Sequence, residues 1–318
     1  MSVHLVLCKQ VLILGVAEAG LYVLLPIALV RSYRVSRTVA FVHGGIAAST
    51  ALLYWVLVYD NPFPPGTRPG LPPFVGLLVV VAVGGAFGAA YGTAVTRAKV
   101  AALPRMTLTV ISLGAMMTAI GIFTSTLRVP PESIPPSPFG NGRMTIAGVV
   151  LTPLRSTTIL IAVVLVAGLA GFLNSSRTGR HLRAISDDME AGAWCGVKVA
   201  RISTGVYSGA GAIAGLAGAL IAAQSGPDPF NLIIFLLRAM AVAIVGGLMS
   251  LPIALAAALV MAVVQTALVV GVVGPSSTEM PYSIGRQELI LNVILLAMIL
   301  GVARLRPRHF YLLDRQSL

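Results

Sequence analysis

The sequence predicts an all-α, polytopic integral membrane protein with about nine transmembrane helices, forming a single membrane domain over residues 1–318. Three observations support this fold class. The chain is 57% hydrophobic and only 10% charged, with a mean hydropathy of +0.93, whereas soluble proteins carry about 25% charged residues. It contains nine apolar segments close to the roughly 20 residues that a spanning helix needs. No long polar stretch remains that could form a soluble domain.

The predicted spans follow one another along the whole chain. They are residues 11–30, 39–58, 74–94, 106–124, 156–173, 202–222, 232–248, 252–271 and 288–303. Two connecting loops, 60–73 and 128–155, are too rich in proline to be helical. Within the second loop, residues 143–151 are partly β-branched and follow a turn, which predicts a short hairpin or strand. These loops are either simple linkers or a rim that meets an external partner.

Basic residues follow the odd-numbered spans one, three, five and nine, whereas the loops after spans two, four, six and eight are rich in Pro, Gly and Ser. Because loops rich in Arg and Lys stay in the cytoplasm, we expect the N-terminus outside and the C-terminus inside. The net charge of +12 is thus explained by orientation in the membrane, and nucleic-acid binding is not expected. The four histidines lack metal-ligand spacing, so no metal site is predicted.

The sixth span is rich in glycine. Its glycines are Gly205, Gly209, Gly211, Gly215 and Gly218. Small residues four apart allow helix backbones to approach closely. The stripe therefore indicates either tight packing alone or a helix beside a translocation path.

Two ionisable residues, Glu18 and Arg238, lie within predicted spans. A charge inside the bilayer is costly, so each should face a partner or a water-filled cavity. Arg238 could instead extend toward the interface. A proton relay through Glu18 is the alternative that a secondary transporter would require.

Glycines interrupt the apolar pattern once in each half of the chain, at His43-Gly44-Gly45 and at residues 245–252. Irregular backbone at membrane depth is tolerated where it lines a cavity, and paired breaks of this kind mark binding sites in some transporters. We therefore consider these segments candidates for the substrate path. A lone histidine in an apolar setting is more often a hydrogen-bonded core residue.

A polar segment, residues 174–201, separates the fifth and sixth spans. Leu182, Ile185 and Met189 recur at helical spacing, which predicts an amphipathic helix ended by Gly192 and Gly196. Its other face carries both basic and acidic residues, a mixture that favours docking to a protein over binding to an anionic membrane surface. The chain has no phosphate-binding GxxxxGK[ST] loop, so any nucleotide hydrolysis must occur on another subunit.

The same segment resembles the cytoplasmic coupling loop, about 175–200, of permease subunits of branched-chain amino acid ABC importers. That loop has the pattern G-R-x-x-R-A-x-x-x-D-x-x-x-A-x-x-x-G-[IV]. The residues that match this pattern directly are Gly179, Arg180, Arg183 and Ala184. Asp187 or Asp188, close to Glu190, takes the acidic position, and Gly196-Val197 takes the last two positions.

Two further motifs extend this resemblance over nearly the whole chain. Residues 41–45 are similar to the family's N-F-A-H-G-E, with Phe41, His43 and Gly44 matching. Residues 245–254 are similar to its G-G-x-G-S-x-x-G-A. There Gly246, Gly247 and Ser250 match, and Arg238 stands where relatives often carry Lys. Ala40, Gly45 and Met249 depart from these patterns and leave the substrate open.

The resemblance implies a non-enzymatic importer permease in the plasma membrane of a prokaryote. Its partners would be a second homologous permease subunit (commonly in a heterodimer), two cytoplasmic ATPase subunits that bind ATP and Mg²⁺, and an extracytoplasmic substrate-binding protein. The permease itself would carry no cofactor. An ion- or proton-coupled secondary transporter that uses Glu18, and a membrane scaffold without transport, remain the alternatives.

Overall fold

In a computed structural model of the protein, the described residues are 2–59, 70–97, 100, 103–126, 134–140, 142, 144–146, 149–187, 194, 196–246, 248, 251–272 and 280–305. These residues form ten helices and one two-stranded sheet. The elements are α1 (Ser2–Ser36), α2 (Val42–Val58), α3 (Pro73–Val95), α4 (Arg105–Thr126), β1 (Met144–Ile146), β2 (Val149–Leu151), α5 (Pro153–Ser175), α6 (Arg177–Asp187), α7 (Val199–Ser225), α8 (Pro229–Val245), α9 (Leu251–Val272) and α10 (Met280–Leu305).

The prediction of an all-α membrane protein is confirmed. Among the described residues, six helices are long and apolar enough to cross a membrane: α1, α3, α4, α5, α7 and α9. The apolar parts of α2, α8 and α10 are shorter, at Val42–Val58, Asn231–Val245 and Leu289–Gly301. These nine helices coincide with the nine predicted spans, and α6 coincides with the predicted amphipathic segment.

Helices α1 and α7 form the centre of the bundle. Of their most apolar windows, 61% and 72% are buried, against only 11% for α5. On α5, Leu160, Val163 and Val164 are exposed, as expected for side chains that face lipid rather than water. Helix α5 therefore packs at the edge of the bundle, against α1.

The glycines of α7 lie on two different faces. A β-carbon at Gly218 would be 2.0 Å from the Ala47 carbonyl oxygen on α2, and one at Gly211 would be 2.4 Å from that of Gly84 on α3. These two glycines are needed for close backbone approach. At Gly205 and Gly209, by contrast, an added β-carbon would meet nothing within 4 Å, so this part of the stripe borders open space.

The predicted short hairpin is confirmed. Strands β1 and β2 pair antiparallel, with Thr145 opposite Val150. At the same end of the bundle, the Tyr54 hydroxyl donates to the Pro136 carbonyl oxygen at 2.9 Å. Residues 134–140, between α4 and β1, are thereby attached to the bundle.

Candidate functional site

Glu18 of α1 lies in a polar cluster between three helices. Its carboxylate forms a 2.8 Å ion pair with the Arg155 guanidinium of α5. The Gln224 side-chain amide of α7 donates to both carboxylate oxygens, at 2.9 and 2.8 Å. The Glu18 and Arg155 side chains are 18% and 32% exposed, so the ion pair is mostly enclosed by protein but not fully buried.

The cluster continues one helical turn further along α1, at Tyr22. The Tyr22 hydroxyl donates to the Gln265 side-chain oxygen of α9 and accepts a hydrogen bond of 3.2 Å from the Arg238 guanidinium of α8. Its ring stacks on Phe235, with centroids 4.4 Å apart. Tyr22 and Arg238 are buried. The two ionisable residues predicted from sequence, Glu18 and Arg238, are thus brought into one cluster through Tyr22, although they do not pair directly.

The cluster lies at the end of the bundle opposite α6. Arg155 is in the first turn of α5 and Gln224 is in the last turn of α7, whereas α6 connects the other ends of these two helices. The sequence analysis did not identify Arg155, Tyr22, Gln224 or Gln265. Arg155 and Gln224 lie just outside predicted spans, and an uncharged Tyr22 or Gln265 within a span gave no signal that these four residues meet.

The first-half motif, residues 41–45, forms close packing contacts. Gly44 and Gly45 lie in the first turn of a regular helix, so the expectation of irregular backbone is wrong there. A β-carbon at Gly44 would be 2.0 Å from the Leu236 side chain, and one at Gly45 would be 2.8 Å from the Met116 α-carbon. At the start of the motif, the Phe41 amide donates to the Ser112 hydroxyl at 3.2 Å.

His43 is a core residue, as its apolar setting indicated, but it is not hydrogen-bonded as expected. It is fully buried, and neither ring nitrogen has a hydrogen-bond partner among the described residues. Its ring stacks on Tyr207 at a centroid distance of 6.0 Å. A chemical role for His43 therefore has no support in its contacts.

The second-half break is real. Helix α8 ends at Val245, three residues before the predicted end of that span. The Leu248 amide donates back to the Ala243 carbonyl oxygen at 2.9 Å, with Leu248 in the left-handed region at φ 56°. Such a conformation is rare for a residue with a side chain. Gly246 is described and buried, while Gly247 and Ser250 lie outside the described residues.

Helix α6 begins with a side-chain cap and a close approach to α5. The Ser176 hydroxyl accepts from the Gly179 amide at 2.9 Å, which satisfies one of the free amides of the first turn. A β-carbon at Gly179 would be 2.4 Å from the Leu173 carbonyl oxygen. Only glycine fits this contact, which gives a physical reason for the first position of the predicted coupling motif.

Two faces of α6 differ as the sequence predicted. Leu182 and Ile185 are buried against the bundle, whereas Arg180, Arg183 and Ala184 are exposed. The basic side chains also reach back to α5. The Arg183 guanidinium donates to the Leu173 carbonyl oxygen at 3.1 Å, and the Arg180 guanidinium donates to the Ser175 carbonyl oxygen at 3.5 Å.

The other end of α6 is attached to α1. There the Arg37 guanidinium donates to the Ser186 carbonyl oxygen. Asp187 ends the helix, while Asp188 and Glu190 lie outside the described residues. Gly196 follows in a left-handed conformation at φ 79°, as suits a glycine that ends a turn.

Trp194 is a surface residue that the sequence analysis missed. It is 87% exposed, which is unusual for so large an apolar side chain. Tryptophan is enriched among the residues that dominate binding at protein interfaces. The signal was available, because the chain has only two tryptophans and this one lies in its most polar segment.

Together, a bundle of apolar helices, a polar cluster at one end and a short amphipathic helix at the other define a polytopic membrane protein. The chain belongs to the family of branched-chain amino acid transport system permease components, whose family model matches residues 11–303. Members of this family are transport components that work with other subunits in a membrane. Neither a search of curated proteins nor a search of solved structures finds a match.

Proposed function

We propose that the protein is the permease subunit of an ATP-driven ABC importer for branched-chain amino acids or a similar small polar solute. The observation that carries this proposal is α6. It is a short helix with a buried apolar side and an exposed basic side, held against the ends of α1 and α5. Because the sequence has no phosphate-binding loop, ATP and Mg²⁺ are bound by two partner ATPase subunits.

The exposed side of α6 is the docking surface for the ATPase. Arg177, Arg180 and Ala184 lie on this side, at the spacing of one helical face. Trp194 supplies an apolar anchor nearby. The acidic residues Asp187, Asp188 and Glu190 belong to the same segment of the sequence.

Movement of α6 reaches the polar cluster through α1 and α5. The contacts of Gly179 and Arg183 attach α6 to the end of α5, and Arg37 attaches it to the end of α1. About 30 Å further along α5, Arg155 pairs with Glu18 of α1. A shift of α5 along α1 therefore breaks the ion pair.

The polar cluster suits an amino acid in its zwitterionic form. The Glu18 carboxylate can receive an ammonium group, while the guanidinium of Arg155, released from Glu18, can receive a carboxylate. Apolar side chains around the cluster accommodate a branched aliphatic group. The substrate reaches this site from an extracytoplasmic binding protein and crosses between this subunit and a second homologous permease subunit.

The proposed orientation has the N-terminus outside and α6 in the cytoplasm. The contact of Arg37 with Ser186 supports it, because this contact joins the basic end of α1 to α6. The polar cluster then lies toward the outer surface, where an importer first meets its substrate.

Charge reversal on α6 tests the proposal. In Arg180→Glu/Arg183→Glu, we expect uptake to fall to background and the ATPase subunits to be lost on gentle purification, with membrane insertion unchanged. The control is Arg97→Glu/Arg105→Glu, which makes the same charge change at exposed positions at the ends of α3 and α4. Normal uptake by the α6 variant would refute the docking role.

A proton-coupled secondary transporter is the second candidate, favoured by the partly exposed carboxylate of Glu18 within the membrane bundle. The two candidate functions differ in one decisive prediction. The purified chain alone would drive uptake into liposomes that have a proton gradient, whereas an ABC permease without its ATPase would not.

A further inference from the structure

A cleft beside α6 is a feature that the proposed function does not use. It lies between the C-terminal half of α5, α6 and the N-terminal half of α7, with a volume of about 900 Å³. One wall consists of Leu165, Leu169 and Phe172. Gly205 and Gly209 of α7 border it, and neither would meet another atom within 4 Å of an added β-carbon. The two glycines thus keep one side of the cleft open.

Basic residues surround this apolar cleft. They are Arg31 of α1, His181 of α6, and Lys198 and Arg201 at the start of α7. No acidic residue is among the described residues that line it. Arg31 is only 8% exposed, and its Nε atom is buried without a hydrogen-bond partner among the described residues. A ligand here should therefore combine an anionic group with a long apolar part.

We propose that the cleft binds one anionic phospholipid from the leaflet on the α6 side. Its phosphate is held by Lys198 and Arg201 at the rim with Arg31 behind them, and one acyl chain lies along Gly205 and Gly209. Basic pockets between membrane helices bind lipid headgroups in this way. A small zwitterionic substrate would leave most of the apolar wall uncovered, and the α6 residues that line the cleft are not those of the proposed ATPase docking surface.

The lipid would contact α6 directly, because Thr178, His181 and Leu182 form part of the cleft lining. Its acyl chain would fill the space between α5 and α7 that the side chains of the described residues leave open. The bound lipid therefore stabilises α6 in its position on the bundle. This proposal depends on the membrane location of the protein and does not depend on the ATP-driven mechanism.

Native mass spectrometry tests the proposal. The transporter is purified with its native subunits, stripped of lipid, and titrated separately with dioleoyl phosphatidylglycerol and dioleoyl phosphatidylcholine. We expect one phosphatidylglycerol to bind with at least about tenfold higher affinity than phosphatidylcholine. In Lys198→Gln/Arg201→Gln this preference should fall by on the order of tenfold, since each basic residue contributes to attraction of anionic lipid.

Arg97→Gln/Arg105→Gln is the matched charge control and should keep the preference. A second pair of variants tests the apolar contact with the acyl chain separately from the charge. Gly209→Leu fills the cleft and should weaken binding of the one phosphatidylglycerol, whereas Gly121→Leu, at an equally open glycine of α4, should not. This pair also keeps the test valid if the charge variant fails to fold.

Three results would overturn the proposal. The first is that the two lipids bind equally well. The second is that the control charge variant loses the preference for phosphatidylglycerol as much as the cleft variant does, because that loss would indicate only a general attraction of the lipid to the basic surface. The third result uses a photo-crosslinking residue at Leu169. Capture of a second permease or of an ATPase polypeptide in the assembled transporter would identify the cleft as a protein interface.

Discussion

Polar contacts hold α1 and α5 at both ends, but the contacts differ in kind. At the α6 end, Arg183 and Arg37 donate to main-chain carbonyl oxygens. At the far end, the Glu18 carboxylate forms an ion pair with the Arg155 side chain and accepts hydrogen bonds from the Gln224 side chain. The α6 end therefore depends on the path of the backbone, whereas the far end depends on the chemical identity of its side chains. The α6 end should therefore be sensitive to added side-chain volume, and the Glu18 end should be sensitive to the loss of a charge.

The largest effect is expected from added volume at the α6 end. In Gly179→Ala, the new methyl group would lie 2.4 Å from the Leu173 carbonyl oxygen, and a backbone atom cannot move aside as a flexible side chain can. Such overpacking costs about 1–3 kcal/mol and would displace α6 from α5. We expect uptake to fall to background and less ATPase to co-purify.

Gly171→Ala is the matched control, because a β-carbon at this nearby glycine of α5 would meet nothing within 4 Å. It should transport normally. Full uptake by Gly179→Ala would mean that α6 need not sit where the structure has it, and the proposed path from α6 to α5 would be wrong.

The sequence could predict the α6 end because its information is local. A motif of a few residues contains the glycine, the basic residues and the apolar stripe, and helical spacing alone assigns Leu182 and Ile185 to the buried side. It could not predict the backbone contacts of Arg183. Both a free docking arginine and one that caps the preceding helix have the same sequence pattern.

An intermediate effect is expected from lost charge at the far end. Glu18→Gln leaves the Arg155 guanidinium without its carboxylate, which costs about 1–3 kcal/mol for a partly enclosed charged group. The midpoint of thermal unfolding in detergent should therefore fall. Uptake should fall roughly tenfold, because Glu18 is also the proposed partner of the substrate ammonium group, and a loss of about 1.4 kcal/mol in binding is a factor of ten.

The double variant Glu18→Gln/Arg155→Gln sharpens this experiment. With both charges removed, we expect most of the lost stability to return, because no isolated charge remains. Uptake should stay low, because both groups proposed to hold the substrate are gone. A double variant that regains both stability and wild-type uptake would show that these charges do not hold the substrate, and the proposed zwitterion site would be wrong.

The far end could be predicted only in part, because its contacts join residues distant in sequence. Glu18 stood out as a charge within an apolar run, but Arg155, Gln224 and Gln265 come from three other helices. Their meeting depends on how α5, α7 and α9 pack around α1, and no local pattern encodes that packing. The same limit explains His43, whose place in a motif indicated the substrate path while its surroundings are those of the core.

The smallest effect is expected at His43, which has neither kind of polar contact with the residues that the structure describes. Its two ring nitrogens are buried without a hydrogen-bond partner among the described residues, and burying such groups is unfavourable. His43→Leu replaces the ring with an apolar side chain of similar volume. Uptake should stay within about twofold of wild type, and the free energy of unfolding should be unchanged or higher by up to about 2 kcal/mol.

His43→Asp, which places a carboxylate in the same apolar site, is the contrasting variant and should be strongly destabilised. A large loss of uptake in a stably folded His43→Leu protein would show that the imidazole acts in transport, and the substrate path would then extend from the Glu18 cluster into the core around α2.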